Sequence, residues 1–514
     1  MKKTLRALVG AGLCGLGLWL TFTVPYPSHA FRIDAGGCLL VTDIVEPTGQ
    51  SAGGTPRGYV VLLHGLSANK RIMSYITAGF AAQGLRVFVP DLPGHGRTDG
   101  PFSYQRSEQC SENLVRELTV RGLLDPERTV LVGHSLGGAI ALRVASRVPV
   151  AGVIAISPAP MRTIAGVEPE MMPFHDFGAL PGHSLVMSAA WEPERIRAGA
   201  KNLVPTPGDG TSDYVVIPRS THVSVLFDGT AMSSEQNWAA RVLHLESQLT
   251  LPSHRGLLGF LAGFAGILLL AGPFLRETLQ SKKQTAPPTE NTAAVAKGKV
   301  FLEYGIVGLG TVGLLSFWTP LRVLHLFQGD YLASFLLILG AIMLVLHWNS
   351  LRNLFGPRGG AQHARPLYFT LLAAAFAAFL LHFLVTAWID LTFSEAWLTA
   401  ARWARFMPLF IAVLPYHAAE ELLLGPVLPG KGSRRLLTAI LLRLTAWVAI
   451  VAGIFALHSG EVLLVLLAPS FGLFCLLQRW GMNVVREVTA SPLATALFGA
   501  ILLAGFCLVV FPTT

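Results

Sequence analysis

A serine hydroxyl is a poor nucleophile at neutral pH unless a base stands beside it and its backbone presents it to a substrate. One serine in this chain sits in a pattern built for that presentation. Residues 129–138 read Thr-Val-Leu-Val-Gly-His-Ser-Leu-Gly-Gly. A short β-branched run leads into G-x-S-x-G, and a helix-like segment follows. This is the layout of a nucleophile elbow, in which Ser135 occupies a sharp strand-to-helix turn. The turn is crowded, so it needs small neighbours, and Gly133, Gly137 and Gly138 supply them. A G-x-S-x-G alone is weak in a chain with 52 glycines. The surrounding elements give it weight.

Those elements are short continuous apolar runs. Tyr59–Leu63 ends in His64-Gly65-Leu66, and Leu85–Val89 is followed by Asp91-Leu-Pro-Gly-His-Gly-Arg-Thr98. Val130–Val132, Val153–Ile156, Leu185–Ala189 and Tyr214–Ile217 complete the series. Apolar runs of this length, separated by helix-length segments, predict parallel strands covered on both faces.

With H-G-L at 64–66, D-x-P-G-H-G-R-T at 91–98, G-H-S-L-G-G at 133–138 and a histidine after the last strand, residues 58–245 resemble the α/β-hydrolase family of esterase, lipase and serine-aminopeptidase type. The resemblance implies a mostly parallel sheet with helices on both faces and a triad in the order serine, acid, histidine. His222, just past the strand at 213–218, falls where the family keeps its base. His244 and His254 come later, and His175 and His183 come too early in that order. The acid position falls on Glu192, which is followed by Pro193. Glu194 is the alternative, ahead of Asp209 and Asp213. A glutamate can orient the imidazole as an aspartate does, through a longer arm. The same resemblance implies an oxyanion hole from the backbone N–H groups of Leu66 and Leu136, each donor worth roughly 3–4 kcal/mol in the transition state. The segment Ser157–His183, with Pro158, Pro160, Pro173 and Pro181, Met161, Met171 and Met172, and Phe174, reads either as a short apolar lid or as ordinary loop packing.

The rest of the chain has another character. It holds 514 residues, 52% hydrophobic and 13% charged, too apolar for a soluble hydrolase alone. The predicted domains are 1–30, a membrane anchor or signal peptide; 31–252, the hydrolase; and 253–514, a polytopic all-α membrane domain. In the first, Lys2, Lys3 and Arg6 precede an apolar run from Ala7 to Val24, and Ser28-His29-Ala30 offers a cleavage site. An uncleaved anchor is the favoured reading. After Pro252, eight apolar spans are expected near 256–274, 300–321, 331–347, 367–389, 407–424, 435–457, 461–478 and 492–511.

Charge sets the expected topology. With the hydrolase outside the cytoplasmic membrane, inner loops would carry Arg276, Lys282, Lys283, Lys297 and Lys299, then Arg352, Arg358 and Arg365, then Lys431, Arg434 and Arg435, then Arg479 and Arg486. Outer loops would carry Arg322, Arg402 and Arg405. Thirteen against three obeys the positive-inside rule. It accounts for much of the net charge of +9, so no nucleic-acid partner is required. Cys38 and Cys110 fall in the exported part and form either one disulfide or two free thiols. No metal-ligand spacing and no phosphate-cradling glycine loop is expected in the hydrolase, and no cofactor.

Ionisable residues in apolar spans are costly and usually functional. Here Glu420-Glu421 followed by Phe455-Ala-Leu-His458 is similar to the motif of CAAX-type intramembrane proteases, which pairs E-E-x-x-x-R with F-x-x-x-H and a later histidine. Gly425 stands at the arginine position, the Phe–His spacing is one residue short, and no histidine follows. The simpler reading puts both glutamates at the inner interface beside Lys431, Arg434 and Arg435. The main expectation is a membrane-tethered serine hydrolase acting on an ester or amide, with lipid or acylated substrates favoured. A transporter-like membrane domain carrying an accessory or inactive hydrolase is the other class.

Overall fold

The computed structural model describes residues 2–22, 28–48, 55–159, 181–204, 212–246, 249–279, 297–349, 367–428, 430, 432–457 and 460–514. The chain divides into two compact units. One comprises residues 16–261, 389–399 and 512–514; the other comprises residues 1–15, 262–388 and 400–511.

The first unit is built on an eight-stranded sheet in the order β1-β2-β4-β3-β5-β6-β7-β8. The strands are β1 Ser28–Asp34, β2 Leu39–Val45, β3 Gly58–Leu63, β4 Leu85–Pro90, β5 Thr129–His134, β6 Gly152–Ile156, β7 Ser184–Ala189 and β8 Ser212–Ile217. Strands β3 to β8 pair in parallel, while β1–β2 and β2–β4 pair antiparallel. The six expected strands are present. The β1–β2 hairpin was not expected, and Ser28, His29 and Ala30, read as a cleavage site, are its first residues, paired with Val45, Ile44 and Asp43.

The continuous apolar runs are explained by two covered faces. Val60 and Leu62, Val130 and Val132, Ile154 and Ile156, and Leu185 and Met187 pack in one core with Ile76, Phe80, Met232 and Trp238. Those four partners come from helices Ser74–Ala82 and Gly229–Val242. The alternate residues Val61, Leu131, Val153 and Ala155 are equally buried. Strand period two turns them to the opposite face, where helix Leu136–Ala145 packs on β3, β5 and β6. Cys38 and Cys110 form a disulfide that joins the turn after β1 to helix Tyr104–Val120.

The second unit is helical. Eight described helices of the chain are long and apolar enough to cross a membrane: Thr4–Phe22, Arg255–Leu279, Gly298–Leu315, Gly329–Leu346, Leu367–Thr392, Phe406–Gly425, Gly432–Ala456 and Pro492–Val510. The apolar stretch 461–478 is not one span but a short helix Val462–Leu466 followed by Ala468–Thr489. Pro469 favours a new helix start there, and Gln478, Arg479, Asn483, Arg486 and Glu487 dilute its apolar character. Lys282, Lys283, Arg352, Arg358, Arg365, Lys431 and His458 lie outside the described residues.

Candidate active site

Strand β5 ends at His134 and the next helix begins at Leu136, leaving Ser135 alone at the turn with φ 54° and ψ −116°. A β-carbon makes that conformation unfavourable, so surrounding bonds must hold it. The Ser135 N–H donates to the Ile156 carbonyl at 2.9 Å, and the Ser135 carbonyl accepts from Ala159 N at 2.9 Å. Close approach decides the neighbours. A Cβ at Gly133 would lie 2.1 Å from the Gly137 carbonyl oxygen, and one at Gly137 would lie 2.2 Å from that of Leu63. Either side chain would lift the helix off the sheet.

His222 follows β8 in a turn begun by Arg219, whose φ is 53°. The Ser220 hydroxyl donates to the Ile217 carbonyl at 2.7 Å. This turn brings His222 Nε2 to 3.0 Å from Ser135 Oγ. On the other side of the ring, Nδ1 lies 2.5 Å from Glu192 Oε1. Glu192 is held twice over. Its Oε2 accepts from Ala189 N at 3.0 Å, and its own N–H donates to the Ala189 carbonyl at 3.2 Å. The acid-bearing turn is also tied to the histidine turn, since Trp191 N donates to the Ser220 carbonyl at 3.0 Å. The Glu192 carboxylate is 2% exposed, so it lies beyond the reach of bulk solvent.

This geometry fixes a proton arrangement. A carboxylate can only accept, so Nδ1 carries the proton and Nε2 offers its lone pair to the serine hydroxyl. Beneath the ring, His134 Nε2 donates to the His222 carbonyl at 2.7 Å. Burial, reinforced by the neighbouring His222, lowers the His134 pKa to about 3. His134 is therefore neutral and adds no competing charge.

The expected oxyanion segment lies against the serine. A Cβ built on Gly65 would sit 3.2 Å from Ser135 Cβ and 3.0 Å from His134 Nδ1. Two histidines staple this segment to the Asp91–Thr98 loop. His64 Nδ1 donates to the Gly65 carbonyl at 2.8 Å, and its Nε2 accepts from Leu92 N at 2.9 Å. Burial pulls the His64 pKa down to about 4, which keeps Nε2 free to accept. His95 Nε2 accepts from Ser67 N at 3.2 Å while its Nδ1 donates to the Pro93 carbonyl at 3.0 Å. Asp91 closes the arrangement, with Oδ1 accepting from Lys70 N at 2.9 Å and Oδ2 from Arg97 N at 3.0 Å.

The other candidates are elsewhere. Glu194 is exposed and pairs with Arg197. Asp213 pairs with Arg241 at 2.8 Å. His183 and His244 are exposed, and His254 Nε2 donates to the Phe227 carbonyl at 2.8 Å. Asp209, His175 and residues 160–180 of the expected lid lie outside the described residues. Sequence reasoning missed Asn69, Lys70 and Glu395. Buried among the groups behind the expected oxyanion segment, they match no motif; their only signal was the polar pair Asn69-Lys70, three and four residues after Leu66.

In the helical unit, Glu420 and Glu421 are both buried. Arg443 meets Glu420 at 2.7 Å, Arg479 meets Glu420 at 3.1 Å and Glu421 at 2.7 Å, and Arg435 meets Glu421 at 2.6 Å. Buried carboxylates need such partners. His417 Nδ1 lies 3.7 Å from Glu420. Neither Arg443 nor Arg479 was expected to reach these glutamates, because both are remote in sequence.

Residues 60–303 match the sequence model of the alpha/beta hydrolase family. An uncharacterized protein of Mycobacterium tuberculosis is 38% identical over 121 residues, 21% of this chain and 34% of that protein. A pimeloyl-[acyl-carrier protein] methyl ester esterase of Sodalis glossinidius is 34% identical over 122 residues, 23% of this chain and 44% of the esterase. A monoacylglycerol lipase of Mycolicibacterium smegmatis is 32% identical over 125 residues, 24% of this chain and 42% of the lipase. The chain thus spans less than half the length of each of these relatives. The N-terminal half of the chain has the α/β-hydrolase fold, mostly parallel in its sheet, and it is followed by a helical region with several apolar helices of membrane-spanning length.

Proposed function

We propose that this protein is a membrane-tethered serine hydrolase that cleaves an ester or amide through a covalent acyl-serine intermediate. The observation that carries the reading is the unbroken line from Glu192 through His222 to Ser135 Oγ. In this reading Ser135 Oγ attacks the substrate carbonyl as His222 Nε2 takes its proton. The carbonyl oxygen gains charge that the N–H groups of Leu66 and Leu136, the expected oxyanion donors, would stabilise. His222 then returns the proton to the leaving group. The acyl-serine is released by water in the same way, with the Glu192 carboxylate stabilising the imidazolium in each half-reaction.

The active site faces outward. Three observations support this side. The charge pattern of the loops puts 389–399 outside, and this segment belongs to the hydrolase unit. The disulfide Cys38–Cys110 suits an oxidising compartment. The N-terminal helix serves as an uncleaved anchor, supported by its close fit to helix Arg255–Leu279, where a Cβ at Gly10 would lie 3.2 Å from the Gly266 carbonyl oxygen. An acyl or lipid ester is the favoured substrate class, supported by the esterase and lipase relatives and by apolar Leu66 and Leu136 beside the nucleophile. Hydrolysis of a p-nitrophenyl ester series of increasing acyl length by the purified full chain tests the reading. Wild type should turn over with a preference for one length, and Ser135→Ala should be inactive. Equal turnover by Ser135→Ala overturns it.

A further inference from the structure

The hydrolase unit is not complete at residue 261. Segment Ile389–Thr399, between two long apolar helices in the chain, is part of it. The segment grips the turn that follows the oxyanion residues. Asn69 Nδ2 donates to the Glu395 carbonyl at 3.1 Å and to Ser394 Oγ at 2.9 Å, and Asn69 Oδ1 accepts from Glu395 N at 3.2 Å. The Lys70 ammonium lies between two carboxylates, 2.5 Å from Glu395 Oε1 and 2.8 Å from Asp91 Oδ2, with Asp43 at 4.0 Å. Lys70 and Glu395 side chains are each 3% exposed and Asp91 is sealed, so these contacts are dry. Arg97 Nε reaches Glu395 at 3.4 Å, and its Nη2 reaches Asp390 at 3.0 Å. The Arg71 guanidinium donates to the Asp390 carbonyl. On the opposite side, Phe393 stacks between Phe227, five residues beyond His222, and Phe260.

The segment therefore touches both halves of the catalytic apparatus. Asn69 and Lys70 are three and four residues beyond Leu66. Phe227 follows His222 in the same loop. Lys70 and Asp91 already neutralise one another, so Glu395 adds a second buried carboxylate to a pair that balances without it.

We propose that Glu395 is a positioning residue for the hydrolase reaction: anchored on Asn69 and Lys70, it fixes the turn 66–70 so that the Leu66 N–H points at the developing oxyanion. This rests on the reading of Ser135 as the nucleophile. The donor must hold its place to within a fraction of an ångström, and a shift near 1 Å costs about a hundredfold in rate. The segment is delivered by the membrane half, so the hydrolase depends for its alignment on a residue 261 positions downstream of the end of the nucleophile's strand at His134.

The test uses the detergent-purified full chain with p-nitrophenyl butyrate and a fluorophosphonate probe, comparing wild type, Glu395→Gln, Glu395→Ala, Asn69→Ala and Ser135→Ala. Glu395→Ala should lower kcat between about tenfold and a hundredfold with KM changed less than about threefold. Its labelling rate should fall in parallel. Glu395→Gln retains both the volume and an acceptor for Lys70 and should recover most of the rate. Wild-type kcat in folded Glu395→Ala overturns this inference and leaves the Ser135 assignment standing. If Glu395→Ala does not fold, Asn69→Ala tests the same anchoring through the Glu395 backbone and Ser394 Oγ, and wild-type kcat there overturns the inference. A wild-type chain that neither labels nor hydrolyses overturns both readings.

Discussion

Replacing Glu192 by glutamine should abolish most turnover without disturbing the fold, and the structure says why. Glu192 Oε2 is committed to the Ala189 N–H at 3.0 Å, and only an oxygen can accept that bond. The amide of a Glu192→Gln side chain must therefore turn its oxygen to Ala189 and its NH2 to His222 Nδ1. Nδ1 then has to accept, the ring proton moves to Nε2, and Nε2 can no longer take the proton of Ser135 Oγ at 3.0 Å. Loss of the correct tautomer costs on the order of 10⁴ in kcat, about 5.5 kcal/mol at 1.36 kcal/mol per decade. KM should change little, because Glu192 lies behind the imidazole rather than in contact with substrate. Steady-state hydrolysis of p-nitrophenyl butyrate, with circular dichroism to confirm folding, gives the comparison. Glu192→Asp keeps the charge but shortens the arm by one methylene, and it should fall between wild type and glutamine. A Glu192→Gln protein with more than a tenth of wild-type kcat would refute the assignment of the acid and its tautomer argument together.

Gly65→Ala should lower kcat about tenfold with little change in thermal midpoint, because its Cβ would push the segment away from Ser135 Cβ at 3.2 Å and His134 at 3.0 Å; unchanged kinetics would sink the oxyanion placement. Glu235 is fully buried, neither carboxyl oxygen has a partner, and burial holds its pKa well above 4.5. Its protonated form is favoured on folding, so its contribution is complete below pH 4.5 and is lost as pH rises toward the folded-state value. Wild type should lose stability over that interval by up to about 1.4 kcal/mol per pH unit relative to Glu235→Gln, as chemical unfolding at several pH values would reveal. Reduction of Cys38–Cys110, which closes a loop of 72 residues, should remove about 4 kcal/mol from the hydrolase unit in the chain-entropy picture. Calorimetry with and without reductant checks this, and coincident transitions would contradict it.

The parts of the site that were legible in the sequence are those whose chemistry is local. A strained turn needs Gly133 and Gly137 around Ser135 whatever the rest of the chain does. His222 and Glu192 were legible through their order after particular strands, and the structure brings both to Ser135. Glu194 matched the pattern almost as well, but its side chain leaves the turn toward Arg197 and solvent. Contacts between remote segments left no such trace. Nothing in Phe393-Ser394-Glu395 indicates that Asn69 and Lys70 receive it, because the pairing depends on three-dimensional closure across more than 300 residues. The same holds for Glu420 and Glu421, whose partners Arg443 and Arg479 come from later helices. The apolar run 461–478 misled for another reason. Hydropathy counts residues regardless of the helix start that Pro469 favours, and the polar residues beyond 478 lay outside the run.

The most direct test of the central claim is to treat membranes containing the full chain with a fluorophosphonate and locate the adduct by mass spectrometry. The account predicts a single phosphonylated serine, Ser135, with labelling abolished in Ser135→Ala and slowed by several orders of magnitude in His222→Ala. An unlabelled, folded wild type, or an adduct that persists in Ser135→Ala, would contradict it.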